Sequence, residues 1–125
     1  MERECIMQIN SVGMGFGATI VNTHALNELK TVIKNSAKHD EFILPHKSYD
    51  DLCSQINEIL PKKSDKVIFE ICDNGGDEKR YSVGGKIVHN KKQKPFYTIV
   101  SPKIGSNIIT ENIVSSIKNS LNKII

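Results

Sequence analysis

The sequence KRYSVGGKIVHNKKQKPFYTIVSP occupies residues 79–102 and decides the fold. We predict one strand over residues 80–89 and a returning strand over residues 96–101, because both are rich in β-branched and aromatic residues. The residues between them, 90–95, are almost all basic or polar. A connection this short cannot form a crossover, so the two strands must be antiparallel. The stretch therefore predicts a β-hairpin with a basic connecting loop.

A glycine pair, Gly84 and Gly85, interrupts the first of these strands. Glycine inside a strand often marks a β-bulge, where one extra residue shifts the alternation of side chains between the two faces. We expect a bulge here, which separates the flanking apolar residues into two phases: Tyr81 and Val83 in one, Ile87 and His89 in the other.

Upstream of the hairpin, residues 66–73 alternate between two faces, and a glycine-rich turn follows them. Val67, Phe69 and Ile71 share one side of this predicted strand. Together with the hairpin, the strand completes a three-stranded antiparallel meander.

Helical periodicity covers three other segments. The first runs over residues 24–37 with Thr23 as its N-cap. The second begins after Ser48, which forms a capping box with Asp51. The third begins near Thr110.

The N-terminal part adds a predicted strand over residues 5–9. Whether residues 18–21 form a second strand is left undecided by the sequence. The predicted fold is therefore α+β, in the order β(β)ααβββα, with an antiparallel sheet, a C-terminal three-stranded meander and helices packed on one face.

A chain of 125 residues is expected to form a single globular domain over residues 1–125. Neither a cationic apolar leader nor a run of 18 apolar residues occurs in the sequence, so we expect a cytoplasmic protein without membrane contact. Its three cysteines form no Cys-x-x-Cys pair, which argues against a disulfide framework and a zinc ribbon. We expect no metal and no cofactor.

The charge is unevenly distributed along the chain. Residues 1–75 carry a net charge of −3, whereas residues 76–125 carry +6. Such a distribution favours electrostatic steering toward an acidic partner. Arginine, which reads nucleic-acid bases by bidentate contacts, occurs only at Arg3 and Arg80, so sequence-specific DNA binding is disfavoured.

The run of alternating glycines at Gly13–Gly17 invites comparison with nucleotide-binding loops. Its spacing differs from Gly-x-Gly-x-x-Gly, and the residues after it look extended rather than helical. The run favours a hairpin or a closely packed strand, and whether it contacts a ligand stays open.

The leading interpretation is a non-enzymatic binding protein of the inhibitor, immunity or anti-defence type. Three lysines of the basic hairpin would steer a macromolecular partner, and three nearby rings would anchor it. These partner-binding residues are Lys91, Lys92, Lys94, Tyr81, Phe96 and Tyr97. A protein is the expected partner, RNA is the alternative, and a homodimer is left open.

The alternative interpretation is a small metal-independent ribonuclease with its active site on the antiparallel sheet. His89 and Tyr97 would move protons, and Arg80 and Lys103 would stabilise the developing phosphorane charge. The predicted order β-α-α-β-β-β-α resembles that of small ribonuclease toxins of the RelE type. This resemblance is one of topology and implies an RNA substrate.

Overall fold

The computed structural model describes residues 18–40, 47–73 and 80–125. Within them the chain adopts an α+β fold with three α-helices and a four-stranded mixed sheet. The strands are β1 (Thr19–Val21), β2 (Lys66–Asp73), β3 (Tyr81–His89) and β4 (Lys92–Val100). The helices are α1 (Thr23–Ser36), followed by a 3₁₀ turn at Ala37–His39, α2 (Tyr49–Ile59) and α3 (Ser106–Asn122).

The sheet has the order β1-β2-β3-β4. Strands β2, β3 and β4 form the predicted antiparallel meander. Strand β1, however, pairs parallel to β2, so the prediction of a purely antiparallel sheet is wrong. Two helices separate β1 from β2 in sequence, and a helical crossover of this kind carries the chain back to run in the same direction. The strand predicted over residues 5–9 lies outside the described residues.

The hairpin between β3 and β4 is tighter than predicted. Its turn consists of Asn90 and Lys91 alone, whose φ angles are 52° and 69°. Two positive φ values at the centre of a two-residue turn match the right-handed twist of the flanking strands. The predicted six-residue loop is therefore wrong, because residues 92–95 already belong to β4.

No bulge interrupts β3 at the glycine pair. Its pairing with β4 is one to one from Tyr81 opposite Val100 to His89 opposite Lys92. The inward phase of β3 is therefore continuous along the odd-numbered residues, and the predicted shift between Val83 and Ile87 is wrong.

Gly85 is required for a different reason. Its φ is 133°, and a Cβ at this position would lie 1.7 Å from the Ile68 carbonyl oxygen. It stands between Phe69 and Phe96 in the sheet, and these two rings meet edge to face with centroids 5.4 Å apart. The missing side chain lets the two rings come together across β3.

The helices begin differently from one another. Helix α1 begins at Thr23 with Asn22 as its N-cap, and the Asn22 side chain donates to the Phe69 carbonyl at 2.7 Å, which ties the helix to β2. Helix α2 has the predicted capping box: Ser48 Oγ accepts from the Asp51 amide at 3.2 Å, and the Ser48 amide donates to Asp51 Oδ2 at 2.8 Å.

Helix α3 begins at Ser106, four residues before the predicted start. A distant carboxylate stabilises its first turn, because Asp40 accepts from Ser106 Oγ at 2.6 Å and from the Asn107 amide at 3.1 Å. The Lys47 amide in turn donates to Ser106 Oγ at 2.9 Å.

One cluster of buried apolar side chains joins the three helices to one face of the sheet. Its fully buried members include Ile20 on β1, Phe69 on β2, Ile87 on β3, and Leu29 and Ile113 on the helices. The described helices therefore all pack on this one face of the sheet.

Candidate functional site

Alternate residues of the sheet point away from the helices and form what we call the open face. No helix within residues 18–40, 47–73 and 80–125 covers it, since every open-face residue of the meander other than Gly84 is at least partly exposed. The open face of the meander consists of Lys66, Ile68, Glu70 and Cys72 on β2, Ser82, Gly84, Lys86 and Val88 on β3, and Gln93, Pro95, Tyr97 and Ile99 on β4. We call the helix-packed side the covered face.

Two large side chains on β4 are the most exposed apolar groups of the open face. Tyr97 is 61% exposed and Ile99 is 46% exposed. They are two residues apart on one strand, so their side chains lie side by side on the same face. Adjacent exposed apolar groups on an uncovered sheet face are typical of a contact surface.

The Tyr97 ring is held in position. It lies across Gly84, where an added Cβ would be 3.5 Å from the ring edge. Its hydroxyl also lies 3.2 Å from Ser82 Oγ, within hydrogen-bond distance. A ring held at its edge beside Gly84 and at its hydroxyl loses little conformational freedom when a partner covers it.

Cations lie on the open face toward the hairpin-turn end from these apolar groups. Lys86 stands diagonally across from Tyr97 and its ammonium donates to Gln93 Oε1 at 3.1 Å, whereas Lys66 is level with Gln93, two strands away. A shallow depression of about 440 Å³ lies beside Lys86, with Ile68 and Pro95 among its lining residues and Glu70 as its carboxylate. The open face thus carries an exposed apolar pair toward one end, with two lysines and one glutamate elsewhere on the same face.

The structure separates the three rings that the sequence grouped together. Tyr97 lies on the open face, Tyr81 is half-buried on the covered face, and Phe96 is only 4% exposed within the core. Phe96 therefore does not contribute to a docking surface, because its ring is occupied in the edge-to-face contact with Phe69.

The three hairpin lysines are also spread out. Lys91 is exposed in the turn, whereas Lys94 is half-buried in the covered phase of β4. Lys92 lies in the covered phase as well, and its ammonium donates to the Ile124 carbonyl at 3.4 Å. Of the three, only Lys91 projects beyond the end of the sheet.

The ribonuclease residues do not come together. Arg80 and Lys103 lie near one end of the meander, whereas His89 lies at the other end of β3, about 30 Å from Arg80 at a strand rise of ~3.3 Å per residue. Tyr97 pairs with Gly84, five residues from His89 along β3, and faces the opposite side of the sheet. These positions do not allow one substrate phosphate to contact all four groups.

His89 instead forms a structural pair. Its Nδ1 lies 3.0 Å from Oδ2 of Asp65, a carboxylate that is 1% exposed. The other ring nitrogen, Nε2, lies 3.2 Å from Nδ2 of Asn90. An amide that donates to Nε2 leaves the ring proton on Nδ1, where it faces Asp65. Since Nε2 meets an amide rather than a hydroxyl or thiol, the pair is not arranged to activate a nucleophile.

A second hollow, of about 580 Å³, lies between α1 and the start of α2. Its charged lining consists of the lysines Lys30, Lys34 and Lys47 and the aspartates Asp50 and Asp51. Lys30 rests over the Tyr49 ring at 5.0 Å, and Asp51 is engaged in the capping box. The mixed charges give this hollow no clear preference for an anion or a cation.

Sequence reasoning missed Lys66, Lys86 and Gly84 as parts of the site. Strict alternation along β3 would have identified them, because Lys86 and Gly84 lie on the same face as Ser82 when no bulge intervenes. The expected bulge hid that phase and so left Lys86 unassigned.

Within the described ranges, no three His, Cys, Asp or Glu side chains gather in a way that could hold a metal ion. Of the cysteines in the described ranges, Cys53 is buried and Cys72 is exposed. None of the described helices combines the length and apolar character needed to span a bilayer. The glycine run at Gly13–Gly17 lies outside the described residues.

Comparison of the chain with protein-family models, with curated proteins and with solved structures finds no match in any of the three. The function of this chain is therefore inferred from the geometry of the site itself.

Proposed function

We propose that this protein is a non-enzymatic binding protein of the inhibitor, immunity or anti-defence type, which docks an acidic protein surface on its open face. The observation that carries the proposal is the exposed pair Tyr97 and Ile99 on a sheet face that no described helix covers.

Tyr97 is the expected anchor of this contact. Tyrosine is enriched among the few residues that dominate binding energy, and such residues lie near the centre of an interface. Covering an exposed apolar side chain of this size contributes about 1.5–3 kcal/mol. The support from Gly84 and Ser82 lowers the entropy lost on binding, since the ring is already oriented.

The charges support an acidic partner. Lys86 lies diagonally across from Tyr97, Lys66 and Lys91 lie further toward the hairpin-turn end, and residues 76–125 carry a net charge of +6. Cations on a docking face raise the association rate with an acidic surface more than they raise affinity. Glu70 on the same face would then select against a uniformly acidic surface.

A protein suits this face better than RNA. Single-stranded RNA is bound on sheets by several rings that stack successive bases, whereas the described open face offers Tyr97 alone. The chain also has only two arginines. We place the protein in the cytoplasm, in keeping with its odd number of cysteines.

The test uses a photo-cross-linking amino acid introduced at Gln93 on the open face and, in a matched control, at Ser115 on the exposed side of α3. Protein adducts should form from position 93 and not from position 115. Mass spectrometry identifies the adduct, and its affinity is then measured for wild type, Tyr97→Ala and the control Glu111→Ala.

We expect Tyr97→Ala to weaken binding by about thirtyfold, the effect of a ~2 kcal/mol anchor, and Glu111→Ala to leave it unchanged. Adducts at position 115 alone, equal adducts at both positions, no adducts, or RNA adducts at position 93 would each overturn the proposal.

A further inference from the structure

We propose that two copies of this chain associate through the outer edge of β4, so that their sheets join into one. This inference rests on the backbone of β4 and is independent of the partner proposed above.

Among the described strands, β4 pairs with β3 alone and lies at one end of the sheet order. Pro95 shows which of its backbone groups face outward. A proline has no N–H to give to β3, and the Pro95 carbonyl accepts from Ser120 Oγ of α3 at 2.6 Å. In an antiparallel strand every second residue points its N–H and C=O the same way. The backbone groups of Tyr97 and Ile99 therefore point outward, as those of Pro95 do.

These outward groups are self-complementary. When β4 is paired antiparallel with a two-fold copy about Thr98, Tyr97 of each copy stands opposite Ile99 of the other. Each such pair exchanges two N–H···O=C bonds, because both residues have outward-facing groups.

Neighbouring registers are poorer. A pairing centred on Tyr97 places Ile99 opposite Pro95, which lacks an N–H and whose carbonyl already accepts from Ser120. A pairing centred on Ile99 places Tyr97 opposite Ser101, beyond the end of β4. The Thr98 register alone pairs every outward N–H and C=O of Tyr97 and Ile99.

The side chains favour the same register. Tyr97 and the copy's Ile99 would be direct cross-strand neighbours on the open face, an aromatic and β-branched pair that stabilises antiparallel strands. Lys94 would fall opposite Pro102 and Lys92 opposite Ile104, so no cations would face each other at paired positions. A second copy of the chain therefore fits this edge in both backbone and side chains.

The association is expected to be weak. The ladder is short because Pro95 ends it on one side and β4 ends on the other, and contacts this small are usually transient. We therefore expect a monomer–dimer equilibrium that depends on protein concentration.

The first test is analytical ultracentrifugation of wild type, Ile99→Pro and Ile99→Val over a wide concentration range. Proline at position 99 removes an outward N–H while leaving the bonds to β3, as Pro95 does on the same strand. Wild type and Ile99→Val should dimerise with rising concentration, and Ile99→Pro should remain monomeric.

A second test needs no substitution. Hydrogen exchange of the wild-type protein should slow at the Tyr97 and Ile99 amides as concentration rises, while the Phe96 and Thr98 amides, which face β3, keep their rates. A wild-type monomer at every concentration, a folded Ile99→Pro dimer, or unchanged exchange at Tyr97 and Ile99 would each overturn the dimer.

Discussion

The covered face and the open face of the sheet are made from alternate residues of the same strands, and their contrast is sharpest at Phe96 and Tyr97. These two aromatic residues are adjacent in β4, yet one is 4% exposed and the other 61% exposed. Phe96 meets Phe69 across Gly85, whereas Tyr97 lies over Gly84 on the other side. Position along the strand, rather than residue type, therefore decides whether each of these rings lies in the core or on the surface.

We expect the largest change in the free energy of unfolding from Gly85→Ala. The new Cβ would meet the Ile68 carbonyl at 1.7 Å, at a φ of 133° that other residues rarely adopt. We expect a loss of more than ~3 kcal/mol in the free energy of unfolding, which urea denaturation would measure. Gly84→Ala is the comparison variant and should cost less, because its Cβ would meet the Phe96 carbonyl oxygen at 2.7 Å rather than 1.7 Å and its φ is not positive. Wild-type stability of Gly85→Ala would contradict the account of the glycine pair.

The next largest change in stability is expected when the buried ring is truncated. Phe96→Ala removes a buried ring and its contact with Phe69, so it should lower the free energy of unfolding by about 3–5 kcal/mol. Urea unfolding of the purified variant checks this value. A loss below ~1 kcal/mol would mean that Phe96 is not part of the core.

A third prediction concerns the polar pair on the covered face. His89→Ala leaves the buried Asp65 carboxylate without its histidine partner, and Asp65 Oδ1 already has no partner among the described residues. We expect a loss of about 1–3 kcal/mol in thermal or urea unfolding. His24→Ala, on an exposed part of α1, is the control and should change little. Equal effects of the two substitutions would show that the pair contributes nothing to stability.

The smallest expected effect is that of Tyr97→Ala on stability. Its ring is mostly exposed, so the free energy of unfolding should change by no more than about 0.5 kcal/mol in the monomer at low concentration. The same denaturation experiment, run beside Phe96→Ala, makes the comparison direct. A Tyr97 variant as unstable as the Phe96 variant would mean that the open face is covered.

Local patterns in the sequence were sufficient for much of the fold. The bounds of β2 and the capping box of α2 follow from alternation and from Ser48 with Asp51, because both depend on neighbouring residues. The parallel pairing of β1 depends instead on a crossover through two helices, which the prediction left out.

The site was harder to predict than the fold. Tyr97 was among the expected partner-binding residues, but Phe96 and Tyr81 were grouped with it because sequence proximity does not reveal which face a ring occupies. The expected bulge at Gly84 and Gly85 made this worse, since one inserted residue reverses every later assignment. The Asp65–His89 pair could not be found at all, since it joins a loop residue to the far end of a strand.

Asp40 has a consequence for how the molecule folds as a unit. Its carboxylate caps a helix that begins 66 residues later, so the first turn of α3 gains this support only once the end of α1 has docked beside it. The first turn of α3 is thereby stabilised by a tertiary contact with a residue much earlier in the chain. Such conditional contacts make unfolding cooperative, because loosening either helix withdraws a stabilising group from its neighbour.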